Sequence, residues 1–227
     1  MIKIEASEFI KEKIKGMKAA CLQVNNVKAA KSGREFENAL QELELHIKKK
    51  FADKRPAEDN VVSAVRRMYR RIGWEPTRYR PSSEALIRRI LQDKGLYRIN
   101  NLVDFGNVVS AFMHIPMGLY DLNKIHGDIT LDAGKEGETY QGISKSLIHA
   151  EGKLILRDQQ GIFGNPTADS KRTSISDNTD SVLALFFGPP EIEKKYLEAT
   201  LEKLADYYQP FSRGSESAEK WIVSFEQ

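Results

Sequence analysis

Residues 100–142 read NNLVDFGNVVSAFMHIPMGLYDLNKIHGDITLDAGKEGETYQG, and no other stretch restricts the fold of this chain as tightly. Val108, Val109, Phe112 and Met113 recur at the three-to-four-residue spacing that gathers apolar side chains on one face of a helix. Asp104 is placed to cap the start of that helix. Pro116 cannot continue it, because proline lacks the amide hydrogen and its ring clashes with the preceding turn. Asp121 carries a carboxylate that can fold back onto the backbone two residues ahead, so an Asx turn is expected before the next strand. Helix, proline turn, acidic turn and strand in close succession require a helix and a sheet that share one core.

Upstream, the residue types at Ser32, Gly33, Arg34 and Glu35 have capping-box spacing, and Phe36, Leu40, Leu43, Ile47 and Phe51 then mark an amphipathic helix. Lys48, Lys49 and Lys50 close it, cations near the carbonyl end that the helix dipole favours. A second helix puts Val61, Val65, Met68 and Ile72 on one face and Arg66, Arg67 and Arg70 on the other, with Gly73 as its stop. A third opens after Pro81 with Ser82 or Ser83 as N-cap, buries Leu86, Ile87, Ile90 and Leu91, and ends at Gly95. Beyond Asn123 the texture changes to short β-like runs at 128–131, 153–157, 181–187 and 221–225 between Gly, Asp and Asn turns. A closing helix follows Pro189 and Pro190 with Ile192, Tyr196, Leu197, Leu201 and Leu204 inward. The class is therefore α+β, with helices mainly in the N-terminal half. Segments 165–172 and 212–217 are the expected mobile stretches.

With 227 residues, 41% hydrophobic and 30% charged, the chain can fill one sizeable core. The expectation is one domain, 1–227, with a helical part at 1–79, a central part at 80–188 and a closing helix and strand at 189–227. Glu5, Glu8 and Glu12 interrupt the apolar residues at the start, so neither a signal peptide nor a membrane span is expected, and the cytoplasm is the expected location. Cys21, the single cysteine, cannot form an internal disulfide and reads as a small buried hydrophobe. His46, His126 and His149 are scattered, and no spacing of His, Cys or carboxylates matches a zinc or calcium site, so no metal is expected. Gly161, Gly164 and the GKEGE stretch fit neither a phosphate-cradling loop nor a dinucleotide fingerprint, and no cofactor is expected.

Four ordered motifs carry a family resemblance. Val103-Asp104-Phe105-Gly106-Asn107 resembles VDxTN, Pro116-Met117-Gly118-Leu119-Tyr120-Asp121 resembles PMHAFD, Gly137-Glu138-Thr139 resembles GET, and the run Ser176-Asp177-Asn178-Thr179-Asp180-Ser181-Val182-Leu183 is similar to NDETxNVLL. These are motifs of the B3/B4 domain of the bacterial phenylalanyl-tRNA synthetase β subunit, and the segment from Arg80 to Arg89 resembles the entry to free-standing B3/B4 proteins. The resemblance implies a three-layer α+β fold with an unusual β-sandwich. It also implies a partner, the 3′ end of an aminoacyl-tRNA, and a reaction, because in the synthetase this domain hydrolyses tyrosine wrongly attached to the phenylalanine tRNA. Nothing resembles the aminoacylating core, so the chain is not expected to act as a synthetase by itself.

The threonine of VDxTN falls on Gly106, the histidine of PMHAFD on Gly118, and the glutamate shortly after NVLL on Leu185. Small or apolar residues there imply a wider, more apolar pocket whose specificity differs from that of the synthetase. By the resemblance and the neighbouring sequence, the pocket candidates are Gly106, Asn107, His114, Pro116, Gly118, Ser170, Thr173, Thr179 and Leu185, with no catalytic residue assigned. His114 reads equally as a group serving a helix C-terminus or a packed core residue. Asp104, Asn107 and Asp121 read first as caps and turn-makers. In the run Asp169-Ser170-Lys171-Arg172-Thr173, hydroxyls and cations cluster on an expected loop, the kind of place where ligands are held, though a plain solvated loop fits as well.

Net charge is only +3, yet residues 55–98 hold eleven Arg or Lys against five acids. Arg66, Arg67, Arg70, Arg71, Arg78, Arg80, Arg88 and Arg89 alternate there with Tyr69, Trp74 and Tyr79. Such a surface can pair with phosphates and stack on unpaired bases, so Arg66, Arg67, Arg70, Arg78 and Arg80 are the candidate RNA-binding residues, and neither DNA nor membrane is expected. Two functional readings follow: a deacylase clearing mischarged tRNA in trans, and a module that kept the fold and binds RNA or an amino-acid-like ligand without catalysis.

Overall fold

The computed structural model describes residues 2–144, 146–212 and 218–226. A strand, a short helix and a second strand precede the helices expected in the N-terminal part: β1 (Ile4–Ala6), α1 (Glu8–Lys13) and β2 (Met17–Asn25). That part is therefore not wholly helical. The run MKAACLQVN hides its strand because most of its residues are buried on both faces, and a continuous apolar run shows no period of two.

Four helices follow, α2 (Arg34–Lys50), α3 (Asn60–Arg71), α4 (Ser82–Leu91) and α5 (Asn101–Met113). The apolar faces of α2, α4 and α5 are largely the expected ones, whereas α3 buries Val62, Val65, Met68 and Tyr69 and leaves Val61 and Ile72 half-buried; the caps differ as well. Ser32 does not cap α2; its hydroxyl donates to Asp104 Oδ2 at 2.6 Å, and Gly33 holds the cap position without a side-chain bond. Pro81 precedes α4, and Ser83 instead donates to the His114 carbonyl at 3.0 Å. Asn100 caps α5, accepting from the Val103 amide, while Asp104 lies inside the helix and accepts from the Ile99 amide at 2.8 Å. Each displaced carboxylate or hydroxyl is captured by a group distant in sequence or one turn away.

The strands form two main sheets. One is antiparallel in the order β11 (Ala218–Phe225), β2, β10 (Ser181–Gly188), β3 (Met117–Asp121). The other runs β1, β4 (Ile129–Ala133), β7 (Leu154–Asp158), β8 (Gly161–Asn165), β9 (Ala168–Asp169), parallel only between β1 and β4. A small hairpin pairs β5 (Thr139–Gln141) with β6 (Leu147–His149). Phe186 and Phe187 are adjacent on β10, point to opposite faces, and are both fully buried, so the four-stranded sheet must be covered on each side. Helix α6 (Lys194–Tyr208) covers it at β2 and β11, and α5 at β3. On its other side, Tyr120 of β3 meets Phe163 of β8 edge-on at 4.9 Å. Helices, sheet and sheet make three layers of an α+β fold, as expected.

Cys21 is buried in β2, and desolvation pushes its thiol up, so it stays protonated. Segment 165–172 is not the mobile stretch its composition suggests. Asn165 is buried, and its Oδ1 accepts from the Thr167 amide and hydroxyl and the Ala168 amide at 2.6–2.9 Å. Its Nδ2 donates to Tyr140 Oη at 2.7 Å, fixing a built turn between β8 and β9. Residues 213–217 of the second such stretch lie outside the described residues.

Candidate functional site

A pocket of about 150 Å³ opens where α5 meets β3 and β9. Val103 and Asn107 come from α5, Met117 and Leu119 from β3, and Asp169 from β9, with Ile99, Ile143, Ser174 and Ile175 completing the wall. The volume suffices for a benzene-sized group. Ile99 and Ile143 at its edge are 63% and 58% exposed, so the mouth is apolar.

Asp169 is the ionisable group of this wall. Its Oδ1 accepts from Tyr120 Oη at 2.8 Å, and its Oδ2 lies 3.4 Å from the Leu119 amide that donates to it. Burial pushes the carboxyl up to about 7, against the downward pull of those two donors. It therefore exchanges a proton near neutrality. Burial likewise raises the Tyr120 phenol well above its ordinary range, so Tyr120 remains the donor.

The glycines of the family motifs do not widen this pocket. Along β3, Gly118 and Tyr120 are two apart and share a face. A Cβ at Gly118 would lie 1.9 Å from Tyr120 Oη, and one at Gly164 2.4 Å from the same oxygen. The two glycines thus make room for the Tyr120 ring, which packs against Phe163 with no exposed surface. Leu185, paired with Gly118 across β3 and β10, is fully buried and does not line the cavity. Gly106 lets α5 approach β3: its Cβ would meet Met117 Cε at 2.6 Å and Tyr208 Oη at 3.4 Å. The expectation of a wider cavity at Gly106, Gly118 and Leu185 is overturned by Tyr120, Met117 and Leu185 itself.

Of the candidate pocket residues, Asn107 reaches the cavity. Ser170 and Thr173 are buried behind it, with Ser170 Oγ and Thr173 Oγ1 3.4 Å apart and Thr173 donating to the Phe163 carbonyl, so they anchor the chain after Asp169. Thr179 donates to Asp121 Oδ2 at 2.8 Å and accepts from the Ser176 amide, tying the turn before β10 to the end of β3. Asp121 also accepts from the Asn123 amide, which is the expected Asx turn. The Pro116 carbonyl accepts from the Phe187 amide at 3.0 Å. His114 does not line the pocket. It sits at the end of α5 with a left-handed φ of 58°, and its Nδ1 is 2.9 Å from Asp59 Oδ1. Burial lowers its pKa despite that carboxylate, so it is a neutral packed imidazole.

The helix-face arginines are largely spoken for. Arg66 Nη1 is 2.9 Å from Glu84 Oε2, a fully buried carboxylate, and Arg66 also reaches Thr77. Arg67 and Arg71 share Glu191 at 3.2 and 2.8 Å. Tyr69 and Trp74 stack at 4.2 Å within the core and cannot receive a base. Tyr79 is covered by Arg78 and Lys153, 5.2 and 4.5 Å from its ring centre. Arg70, Arg78 and Arg80 remain exposed, Arg70 with only a loose 3.9 Å pairing to Glu75. The sequence shows the arginines but not their acceptors, Glu84 on α4 for Arg66 and Glu191 for Arg67 and Arg71.

Fold and pocket together define an α+β domain with a small, apolar-mouthed pocket between a helix and two strands. The chain belongs to the B3/4 domain family, whose model matches residues 64–219. It is 25% identical over 146 residues to the phenylalanine–tRNA ligase beta subunit of Neisseria meningitidis serogroup B, covering 63% of this chain and 18% of that protein. The chain therefore spans less than a fifth of that subunit. Over nearly full length, 97% of this chain and 99% of the relative, it is 19% identical to the uncharacterized protein YhzB of Bacillus subtilis. A solved N-terminal fragment of the phenylalanyl-tRNA synthetase beta-subunit from Pyrococcus horikoshii aligns with 99% of this chain and 54% of its own, at 11% identity and a TM-score of 0.48. No described helix is long and apolar enough to cross a membrane.

Proposed function

We propose that the pocket receives the amino-acid end of an aminoacyl-tRNA and that the chain hydrolyses the ester in trans. The observation that carries this reading is Asp169, a carboxyl near neutrality in the wall of a pocket sized for one small apolar group. A general base works best when its pKa is close to the working pH. A water held by ionised Asp169 would attack the ester carbonyl and give its proton to the carboxylate. The bond to the ribose oxygen would then break, with that oxygen taking up the proton, releasing free amino acid and tRNA. Membership of the B3/4 family and the partial matches to ligase beta subunits support a tRNA-linked substrate.

A second reading is a non-catalytic binder of the same group. It is favoured by Tyr120, whose hydroxyl already occupies Asp169 Oδ1. A panel of mischarged tRNAs, starting with tyrosyl-tRNA(Phe), separates the two when ester loss is followed against a protein-free control. Accelerated loss of one species, reduced by Asp169→Asn, supports the hydrolase. A flat panel, with pocket-dependent binding of aminoacyl esters, supports the binder.

A further inference from the structure

A second cavity, of about 300 Å³, lies on α4 and the segment after it, lined by Arg80, Arg88, Arg89, Lys94 and Tyr97 among others. It shares no lining residue with the Asp169 pocket. Its charge is poorly compensated. Glu84 is the carboxylate at its back, and three guanidiniums converge on it: Arg66 and Arg88 at 2.9 Å and Arg80 at 3.8 Å. Arg89 and Lys94 form no ion pair among the described residues. Arg89 uses Nη2 to reach the Lys94 carbonyl at 3.2 Å, while its buried Nε has no acceptor among the described residues. A buried guanidinium N–H without a partner is costly and asks for an acceptor.

The same guanidinium lies 4.0 Å from the ring centre of Tyr97, so one side of that ring is occupied by a cation. Tyr97 is nevertheless 55% exposed, too much for an aromatic residue serving the core. An aromatic platform beside Arg89 and Lys94, and beside two arginines that share one carboxylate, suits a ligand that is anionic at one end and flat and aromatic at the other.

We infer that this cleft binds a nucleotide unit, with the phosphate on Arg89 and Lys94, beside Arg80 and Arg88, and the base stacked on Tyr97. The unit has two possible sources, one residue of a single-stranded RNA or a free nucleoside monophosphate. The inference stands on its own observations and does not depend on ester cleavage in the other pocket.

The test is fluorescence anisotropy at low salt with an end-labelled RNA hexamer, together with competition by adenosine monophosphate and by inorganic phosphate. Wild type is expected to bind the hexamer. Tyr97→Ala should weaken binding about tenfold, as loss of one stacked base does. Arg89→Gln and Lys94→Gln should weaken it too, and removing a cation that neutralises one phosphate should flatten the log–log salt slope by about 0.7. Unchanged thermal midpoints would show that these exposed-cleft variants remain folded. Competition by the monophosphate but not by phosphate assigns the free nucleotide as a sufficient ligand; binding of the hexamer alone assigns a strand. Leu119→Trp, which fills the Asp169 pocket, should leave hexamer binding intact even where it ends ester hydrolysis. Absence of binding by every probe, or binding indifferent to Tyr97→Ala and Arg89→Gln, overturns the inference.

Discussion

Asp169→Asn gives the sharpest test of the site, because the carboxyl that makes the pocket chemically interesting should also be a liability to stability. The group has a pKa of about 7 when folded against an ordinary 3.8. Between those two values the native state holds a proton that the unfolded state has released, so stability falls as pH rises through the window. Well below pH 3.8 both states are protonated and the linkage is flat; well above pH 7 both are ionised and the full penalty is present. The separation of those two values corresponds to a ceiling on the order of 4 kcal/mol. Between pH 5 and pH 8 the expected loss is roughly 2 to 3 kcal/mol. Asparagine keeps the shape and an oxygen for the Tyr120 hydroxyl but cannot ionise. Urea unfolding of both proteins at the two pH values cancels the carboxylates whose pKa values are lowered, such as Asp158 and Glu191, because they are present in each. The variant should gain roughly 2 to 3 kcal/mol on wild type as pH rises from 5 to 8. An identical difference at the two pH values would refute the raised pKa and remove the general base from the hydrolytic reading.

Three further outcomes follow from the packing. Gly118→Ala should cost about 3 kcal/mol in urea unfolding, because Tyr120 is walled in by Gly164 and Phe163 and cannot swing away from a new Cβ; Gly118→Ala with Tyr120→Leu should cost less than the sum of the two changes. Arg66→Gln should cost about 2 kcal/mol by leaving Glu84 short of one partner, whereas Arg70→Gln, on an exposed pair at 3.9 Å, should stay within about 0.5 kcal/mol of wild type. Asn165→Ala should destabilise by about 2–3 kcal/mol and speed amide hydrogen exchange at Thr167 and Ala168, since one side chain holds both of those amides and the Tyr140 hydroxyl.

Much of the fold could be read from local pattern, and the exceptions have physical causes. Helices α2 to α6 and the strands β4, β7, β10 and β11 each have one period or one propensity that dominates. β2 escaped because a strand in the middle layer is apolar on both faces, and periodicity then disappears. The turn at 165–172 escaped because Asn, Thr and Asp look the same in the sequence whether their side chains face water or hold backbone amides. Asp169 escaped for a related reason: it stands on a two-residue strand, and its partner Tyr120 is 49 positions away. Nothing short of the packing of one sheet on the other brings those two together. Tyr120 over Gly118, by contrast, was within reach of the sequence, since a period of two places a large ring beside a missing side chain.

That last pairing changes how the three altered family positions are to be understood. Read singly, Gly106, Gly118 and Leu185 suggest a pocket emptied of polar groups. Read with their neighbours, the space at Gly118 is taken by a tyrosine whose hydroxyl is delivered to Asp169, and the approach at Gly106 brings Met117 against α5. Polarity has not left the site so much as concentrated on one carboxylate, held from below by Tyr120 and the Leu119 amide. Such an arrangement is sensitive to Tyr120 in a way an emptied pocket would not be. Tyr120→Phe keeps the ring between its two glycines but withdraws the donor that favours the ionised carboxylate, so the Asp169 pKa should rise further. If Asp169 is the base, the pH profile of ester hydrolysis should move to higher pH with it, and an unmoved profile would mean that another group takes the proton.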